Sequence, residues 1–265
     1  MDLNLKDKVA VVTGASKGIG LAVAQGLAEE GARVVTASRT VTPELAELRD
    51  TYGATVVTAD LSVPQGAADL VRAATDAHGG IDILVNNAAA SRPAPDFVGA
   101  DDAAWRRVFD LNLFGVVRVT RAAIPVMTAR GGGAIVNVSS INARMPAPSI
   151  VHYSASKAAL TNVGRALAEE LGASGIRVNT VSPGPVRTPM WTAKEDGFAN
   201  VFAAQAGITV EEVMDRLLPE TFAATTGRIS EPREVADVVI FLASPRAGNI
   251  TGSDYVIDGG VLKTA

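Results

Sequence analysis

The sequence predicts an α/β fold: one doubly wound domain of the Rossmann type, with a seven-stranded, mainly parallel sheet and helices on both faces. Three observations predict it. Short β-branched runs alternate with longer stretches of helical period along the chain. The runs are apolar at consecutive positions, as strands covered on both faces must be. A glycine-rich turn follows the first run and opens the first helix, at the place where such sheets bind dinucleotides.

The elements follow in order. The strand-like runs are "VAVVTG" (9–14), "RVVTAS" (33–38), "TVVTAD" (55–60), "DILVNNA" (82–88), "AIVNVSS" (134–140), "IRVNTVSPG" (176–184) and "DYVIDGG" (254–260). Helical patterns fall between them, over 18–30, 43–52, 65–78, 101–129, 152–173 and 231–243. From Pro189 to Thr226 no strand is predicted. Within that stretch Thr209 and Glu212 have the spacing of a capping box. Val210, Val213, Met214, Leu217 and Leu218 form one apolar stripe at helical period. A short helical pair before the last strand, with Trp191, Phe198 and Phe202 upstream, reads as a substrate lid over 189–226. No linker, repeat or low-complexity segment divides the 265 residues, so residues 1–265 read as a single domain.

Composition excludes several function classes. The net charge of −4 comes without any block of like charge, which argues against a nucleic-acid surface. No cysteine is present, so thiol and disulfide chemistry are absent. With His78 and His152 as the only imidazoles, no metal site is expected. The start "MDLNLKDK" is too polar for a secretory signal, and no apolar run reaches the ~20 residues that span a bilayer. A cytoplasmic protein with no membrane partner is the expectation.

The glycine loop is "TGASKGIG", Thr13 to Gly20. Gly14, Gly18 and Gly20 permit a tight turn and close approach to a pyrophosphate, while Ser16, Lys17 and Ile19 complete the loop and the helix start. The second strand ends in Ser38 and Arg39 instead of a carboxylate. A carboxylate there would repel a 2′-phosphate; a hydroxyl with Arg39 and Lys17 suits one. NADP(H) is therefore favoured, with NAD(H) possible. The alternatives for Arg39 are a solvated strand end or stacking on adenine.

"YSASK", residues 153–157, puts a phenol and an ammonium four residues apart at a helix start. That spacing brings the side chains together, and a neighbouring cation favours an ionised phenol. With these motifs the chain resembles the short-chain dehydrogenase/reductase family in its roughly 250-residue form. The resemblance runs nearly end to end. It rests on Thr13 to Gly20, Asp60, "NNAA" (86–89), "LNLFG" (111–115), "NVSS" (137–140), "YSASK", "SPGPVRTP" (182–189) and "ITGSDYVIDGG" (250–260).

The resemblance implies roles. Tyr153 is the general acid in ketone reduction and the base in alcohol oxidation. Lys157 holds the nicotinamide ribose and depresses the phenol's pKa. Ser140 bonds the substrate oxygen, and Asn112 holds a water that relays protons to Lys157. Asp60 and Leu61 flank adenine, Asn87 and Ala88 pass the cofactor ribose, and Thr188 with Pro183, Gly184 and Val186 anchors the carboxamide. Ala89 stands where the family usually has glycine, which puts the shape of that loop in doubt. Strand alternation points Ser139, the rival of Ser140, the opposite way. His152 reads as pocket lining or surface.

Ile141, Met145 and Trp191 join Ser140 and Tyr153 as the expected substrate contacts, beside the loop from Ser91 to Val98. Apolar bulk at Met145, Trp191, Phe198 and Phe202 suggests a hydrophobic ketone or secondary alcohol. Arg92 and Arg144 are either solvated loop cations or partners of an acidic substrate group. Helices 101–129 and 152–173 carry small residues (Ala155, Ala158, Ala159 and Ala166 in the second), and the resemblance implies a homotetramer. The leading expectation is an NADP(H)-dependent carbonyl reductase. The rivals are an NAD-linked alcohol dehydrogenase and a non-catalytic dinucleotide sensor.

Overall fold

The computed structural model describes residues 1–195 and 197–263; Asp196 of the expected lid and residues 264–265 lie outside the described residues. Seven parallel strands form one sheet: β1 (Val9–Thr13), β2 (Arg33–Ser38), β3 (Thr55–Thr58), β4 (Ile83–Asn86), β5 (Gly133–Val138), β6 (Ile176–Pro183) and β7 (Asp254–Ile257). The spatial order is β3-β2-β1-β4-β5-β6-β7, and every pairing is parallel. The order reverses between β1 and β4, which opens a crevice at the strands' carboxyl ends.

Alternation along each strand feeds two separate apolar layers. Ala10, Val12, Ile83, Val85, Val136 and Val138 point to one face. There they meet Val23 and Leu27 of helix α1 (Gly18–Glu29) and Val235, Val239 and Ile240 of a late helix, Pro232–Ala243. Val9, Val11, Leu84 and Ile135 point to the other face, against Leu70, Val119, Met127 and Leu171. Helix α2 (Pro43–Tyr52) is capped by Thr42 and closes the first face through Leu45 and Leu48. Helix α3 (Pro64–His78) supplies Leu70 to the second.

The sequence expectation of one helix over 101–129 needs correction. It is α4 (Asp102–Phe109), a π-helical turn over Asp110–Gly115, and α5 (Val116–Ala129). The wide turn shifts the register of side chains between the two helices. It carries Asn112 inward to full burial and brings Gly115 against Leu61, whose carbonyl oxygen a Cβ at 115 would meet at 2.8 Å. Helix α6 (Val151–Leu171) then runs beneath the site.

The insertion after β6 is richer than a helical pair. It holds α7 (Pro189–Thr192), α8 (Phe198–Ala206), α9 (Val210–Glu212), a π turn over Val213–Leu217 and α10 (Leu218–Thr221), followed by α11 (Pro232–Ala243). The predicted capping box forms: Glu212 N–H donates to Thr209 Oγ1 at 3.1 Å, and Thr209 N–H to Glu212 Oε2 at 2.8 Å. Val213, Met214 and Leu218 of the predicted stripe are fully buried, with Ala199, Ala203 and Ile229, in an apolar cluster of the insertion's own. Among the described residues, no helix is long and apolar enough to cross a membrane.

Candidate active site

One cavity of about 820 Å³ lies over the carboxyl ends of the strands. The glycine loop forms its first wall. Gly14 and Gly18 both take left-handed backbone, with φ of 66° and 58°. A Cβ on Gly14 would stand 2.7 Å from Ala88 Cα, so glycine is required there on two counts. Asn87 ties the loop to β4: its Nδ2 donates to Thr13 O at 3.0 Å and to Gly14 O at 3.1 Å. The Thr13 hydroxyl in turn accepts from the backbone of Asn87 and Ala88. Lys17 caps α1 without a side-chain hydrogen bond, which leaves the first N–H groups of a 12-residue helix facing the cavity. Unpaired N–H groups at a helix start favour an anion.

The sequence-named residues converge. Gly14, Ser16, Lys17, Gly18, Ile19, Ser38, Arg39, Asp60, Leu61, Asn87, Ala88 and Ala89 line the cavity. So do Ser140, Ile141, Met145, Tyr153, Lys157, Pro183, Gly184, Val186, Thr188 and Trp191. Gly20 and Asn112 do not. Gly20 is buried behind the loop, where a Cβ would lie 2.3 Å from Gly14 O; its part is to let helix and loop pack. Asn112 is pinned by three hydrogen bonds. Its Oδ1 accepts from Ala90 N at 2.8 Å, and its Nδ2 donates to Ala90 O at 3.0 Å and Ser156 Oγ at 3.1 Å. The side chain thus fixes the strand-four loop to α6.

At the ends of β2 and the glycine loop, Arg39 and Lys17 are exposed and, among the described residues, neither forms an ion pair within the chain. Ser38 is buried, its hydroxyl donating to Thr40 O at 2.6 Å, so it shapes the turn instead of reaching outward. Asp60 accepts from the Ser62 hydroxyl and backbone N–H, and these bonds hold its carboxyl below the usual range.

The chemistry-bearing groups meet at the start of α6. Ser140 Oγ donates to Asn142 Oδ1 and accepts from Asn142 N–H, both at 3.1 Å. Ser139 does point away: its hydroxyl bonds Lys157 O and Thr161 Oγ1. Lys157 is 2 % exposed, and its Nζ donates to Val138 O at 2.7 Å, lying 5.7 Å from the centre of the Tyr153 ring. Burial drives the lysine pKa down to about 7. Burial pushes the Tyr153 phenol up, partly offset by the neighbouring Ser140 hydroxyl. The net direction is therefore upward and set by burial, against the expected depression by Lys157.

Two further sequence expectations change. His152 is neither pocket lining nor surface: it is 1 % exposed, its ring 6.0 Å from that of Trp105. Burial lowers its pKa. Arg144 is held by Asp254 at 2.8 Å, and neither Arg144 nor Arg92 lines the cavity. The sequence reading also missed lining residues. Val201 and Gln205 share one face of α8 with Phe198 and Phe202, and the three-and-four spacing was available to find them. The wall from Pro146 to Ile150 carried no periodic signal.

Known proteins resemble the chain throughout its length. The family model described as enoyl-(acyl carrier protein) reductase matches residues 14–262. Dehydrogenase/reductase SDR family member 4 of Bos taurus is 36% identical over 262 residues, covering 97% of this chain and 88% of the relative. The 3-oxoacyl-(acyl-carrier-protein) reductase FabG of Vibrio cholerae is 34% identical, covering 98% and 99%. Among solved structures, L-sorbose reductase of Gluconobacter frateurii, complexed with NADPH and L-sorbose, superposes with a TM-score of 0.92 at 36% identity, covering 100% of both chains.

Proposed function

The chain belongs to the short-chain dehydrogenase/reductase family, and from that premise we propose that it reduces a carbonyl compound with NADPH, or runs the reverse oxidation, with Tyr153 as the proton carrier. One observation carries the reading: Ser140, Tyr153 and Lys157 face one cavity together with the glycine loop and the helix start that can hold a pyrophosphate. The cofactor supplies the hydride. The residues supply the rest. Negative charge building on the carbonyl oxygen is met by the Ser140 hydroxyl and the Tyr153 phenol. A phenol whose pKa burial raises is protonated at neutral pH, as a donor for reduction must be. Lys157, titrating about 7, is the group we assign to refill that proton. Asn112 acts as a positioning residue by locking Ala90 to α6.

The choice of NADP(H) over NAD(H) rests on the two exposed cations, Arg39 and Lys17, at the adenosine end, and the NADPH-bound neighbour agrees. Arg39→Ala is expected to raise the NADPH dissociation constant about tenfold or more and leave that of NADH within twofold, since a charge-assisted bond is worth about 1.5–3 kcal/mol. Titration by nicotinamide fluorescence measures both. Equal affinities in the unaltered protein refute the phosphate reading and return the NAD-linked dehydrogenase. Residues 189–226 serve as the substrate lid. By the family resemblance the protein is a homotetramer in the cytoplasm; a monomer mass by light scattering at micromolar concentration rejects the tetramer.

A further inference from the structure

We propose that the substrate is an uncharged ketone with a flat, apolar body, and that the site discriminates against carboxylates and polyhydroxylated ketones. The inference rests on the hydride-transfer reading above and names its substrate class.

The charged residues lining the cavity are Lys17, Arg39, Asp60 and Lys157. Three of them belong to the glycine loop and the ends of β2 and β3, the nucleotide side. The fourth is the buried partner of Tyr153. The walls facing the opposite end are the segment 141–150, the insertion and the loop after β4, and among the described residues none that lines the cavity from them carries a charge. The two cations nearest in sequence are accounted for: Arg144 is bound to Asp254, and Arg92 lies off the cavity. A carboxylate entering here finds no counter-ion, and an unpaired charge removed from water is heavily penalised.

Neutral polar side chains on these walls are Ser91, Ser149, Asn142 and Gln205, beside the Ser140 and Tyr153 that meet the carbonyl oxygen; Ser91 Oγ is buried without a hydrogen-bond partner and can meet one polar group of a guest. Asn142 spends its amide inside the chain, its Oδ1 on Ser140 and its Nδ2 on Met145 O at 3.2 Å. Gln205 stands at the exposed rim. A polyol would leave several hydroxyls without partners, each costing about 1–3 kcal/mol.

What the walls offer instead is flat apolar surface. Trp191 packs edge-on to Phe198 with centroids 5.6 Å apart and lies 6.2 Å from Phe202. Phe198, Val201 and Phe202 share one face of α8, so this helix presents an apolar strip to the cavity, with Gln205 at its end. Met145 and the stiff Pro146-Ala147-Pro148 run line the same cavity. Aromatic faces and proline rings in one cavity favour a planar guest.

The test is the rate of NADPH oxidation with acetophenone, 4-acetylbenzoate and fructose. Acetophenone is expected to exceed both in kcat/KM by about 100-fold or more. Val201→Arg, a change at a side chain 57% exposed, sets a cation on the strip and is expected to narrow the acetophenone-to-acetylbenzoate ratio about tenfold. If either competitor comes within tenfold of acetophenone, or if the ratio stays fixed in Val201→Arg, the substrate class is wrong while hydride transfer stands. If none of the three consumes NADPH, the hydride-transfer reading falls and takes this inference with it.

Discussion

Tyr153→Phe is expected to lower kcat for ketone reduction by about 10³-fold, within the range that a lost general acid costs. The phenyl ring keeps its place at the start of α6, so the fold and the cavity wall are unchanged. What disappears is one hydroxyl, and with it the proton for the nascent alkoxide. Ser140 cannot substitute as the proton donor: it can hydrogen-bond the oxygen, but an aliphatic alcohol is too poor an acid to give up its proton. NADPH affinity should stay within about twofold, because the glycine loop, the α1 terminus and Arg39 bind the far end of the dinucleotide. Steady-state rates and fluorescence titration on the same preparation separate the two quantities. A variant that turns over at the parent rate ends the proposed mechanism. A variant that loses cofactor binding along with turnover makes Tyr153 a structural residue.

A second large effect concerns stability and pH in protein measured without added cofactor. Lys157 titrates about 7 in the folded chain because burial disfavours its charge; in the unfolded chain it returns to about 10.4. Between those values the unfolded state binds the extra proton, so stability rises with pH across that window. Below about pH 7 both states are protonated, and the folded state carries the whole cost of a buried ammonium. The difference in unfolding free energy between the parent and Lys157→Met should therefore shift by about 3 kcal/mol in the parent's favour from pH 6.5 to pH 9.5. Subtracting the variant removes the contributions of other groups, including His78 and His152, whose pKa values burial also lowers. Urea unfolding at the two pH values measures it. A difference that is flat with pH, or that falls, means Lys157 keeps an ordinary pKa inside the fold.

The sheet was legible because its signal is local. Runs such as "VAVVTG" are apolar at successive positions, and all seven became strands within a residue or a few of their expected limits. The expected mainly parallel sheet is wholly parallel. Site residues on the glycine loop and strand ends were legible for the same reason: each sits at a fixed offset from an element boundary. What stayed hidden depends on contacts between distant segments. Nothing in "LNLFG" announces a π turn, because that turn is stabilised by Asn112 reaching Ala90 and Ser156. His152 lies beside Tyr153 in sequence, yet Trp105 and its neighbours bury it. Arg144 was left between two readings because its partner, Asp254, is 110 residues away. Lys157 drew its expected effect on Tyr153 from spacing, whereas the depth at which both lie decides the direction of their titration.

The insertion between β6 and α11 holds itself together through Met214, Leu218, Val213 and their neighbours, apart from the two layers that clothe the sheet. Cohesion is thus partitioned. Drift in the residues that greet a guest molecule can be absorbed inside a small private nucleus, without disturbing the machinery that grips the dinucleotide. A scaffold divided in that manner can acquire new clientele while its redox engine stays the same.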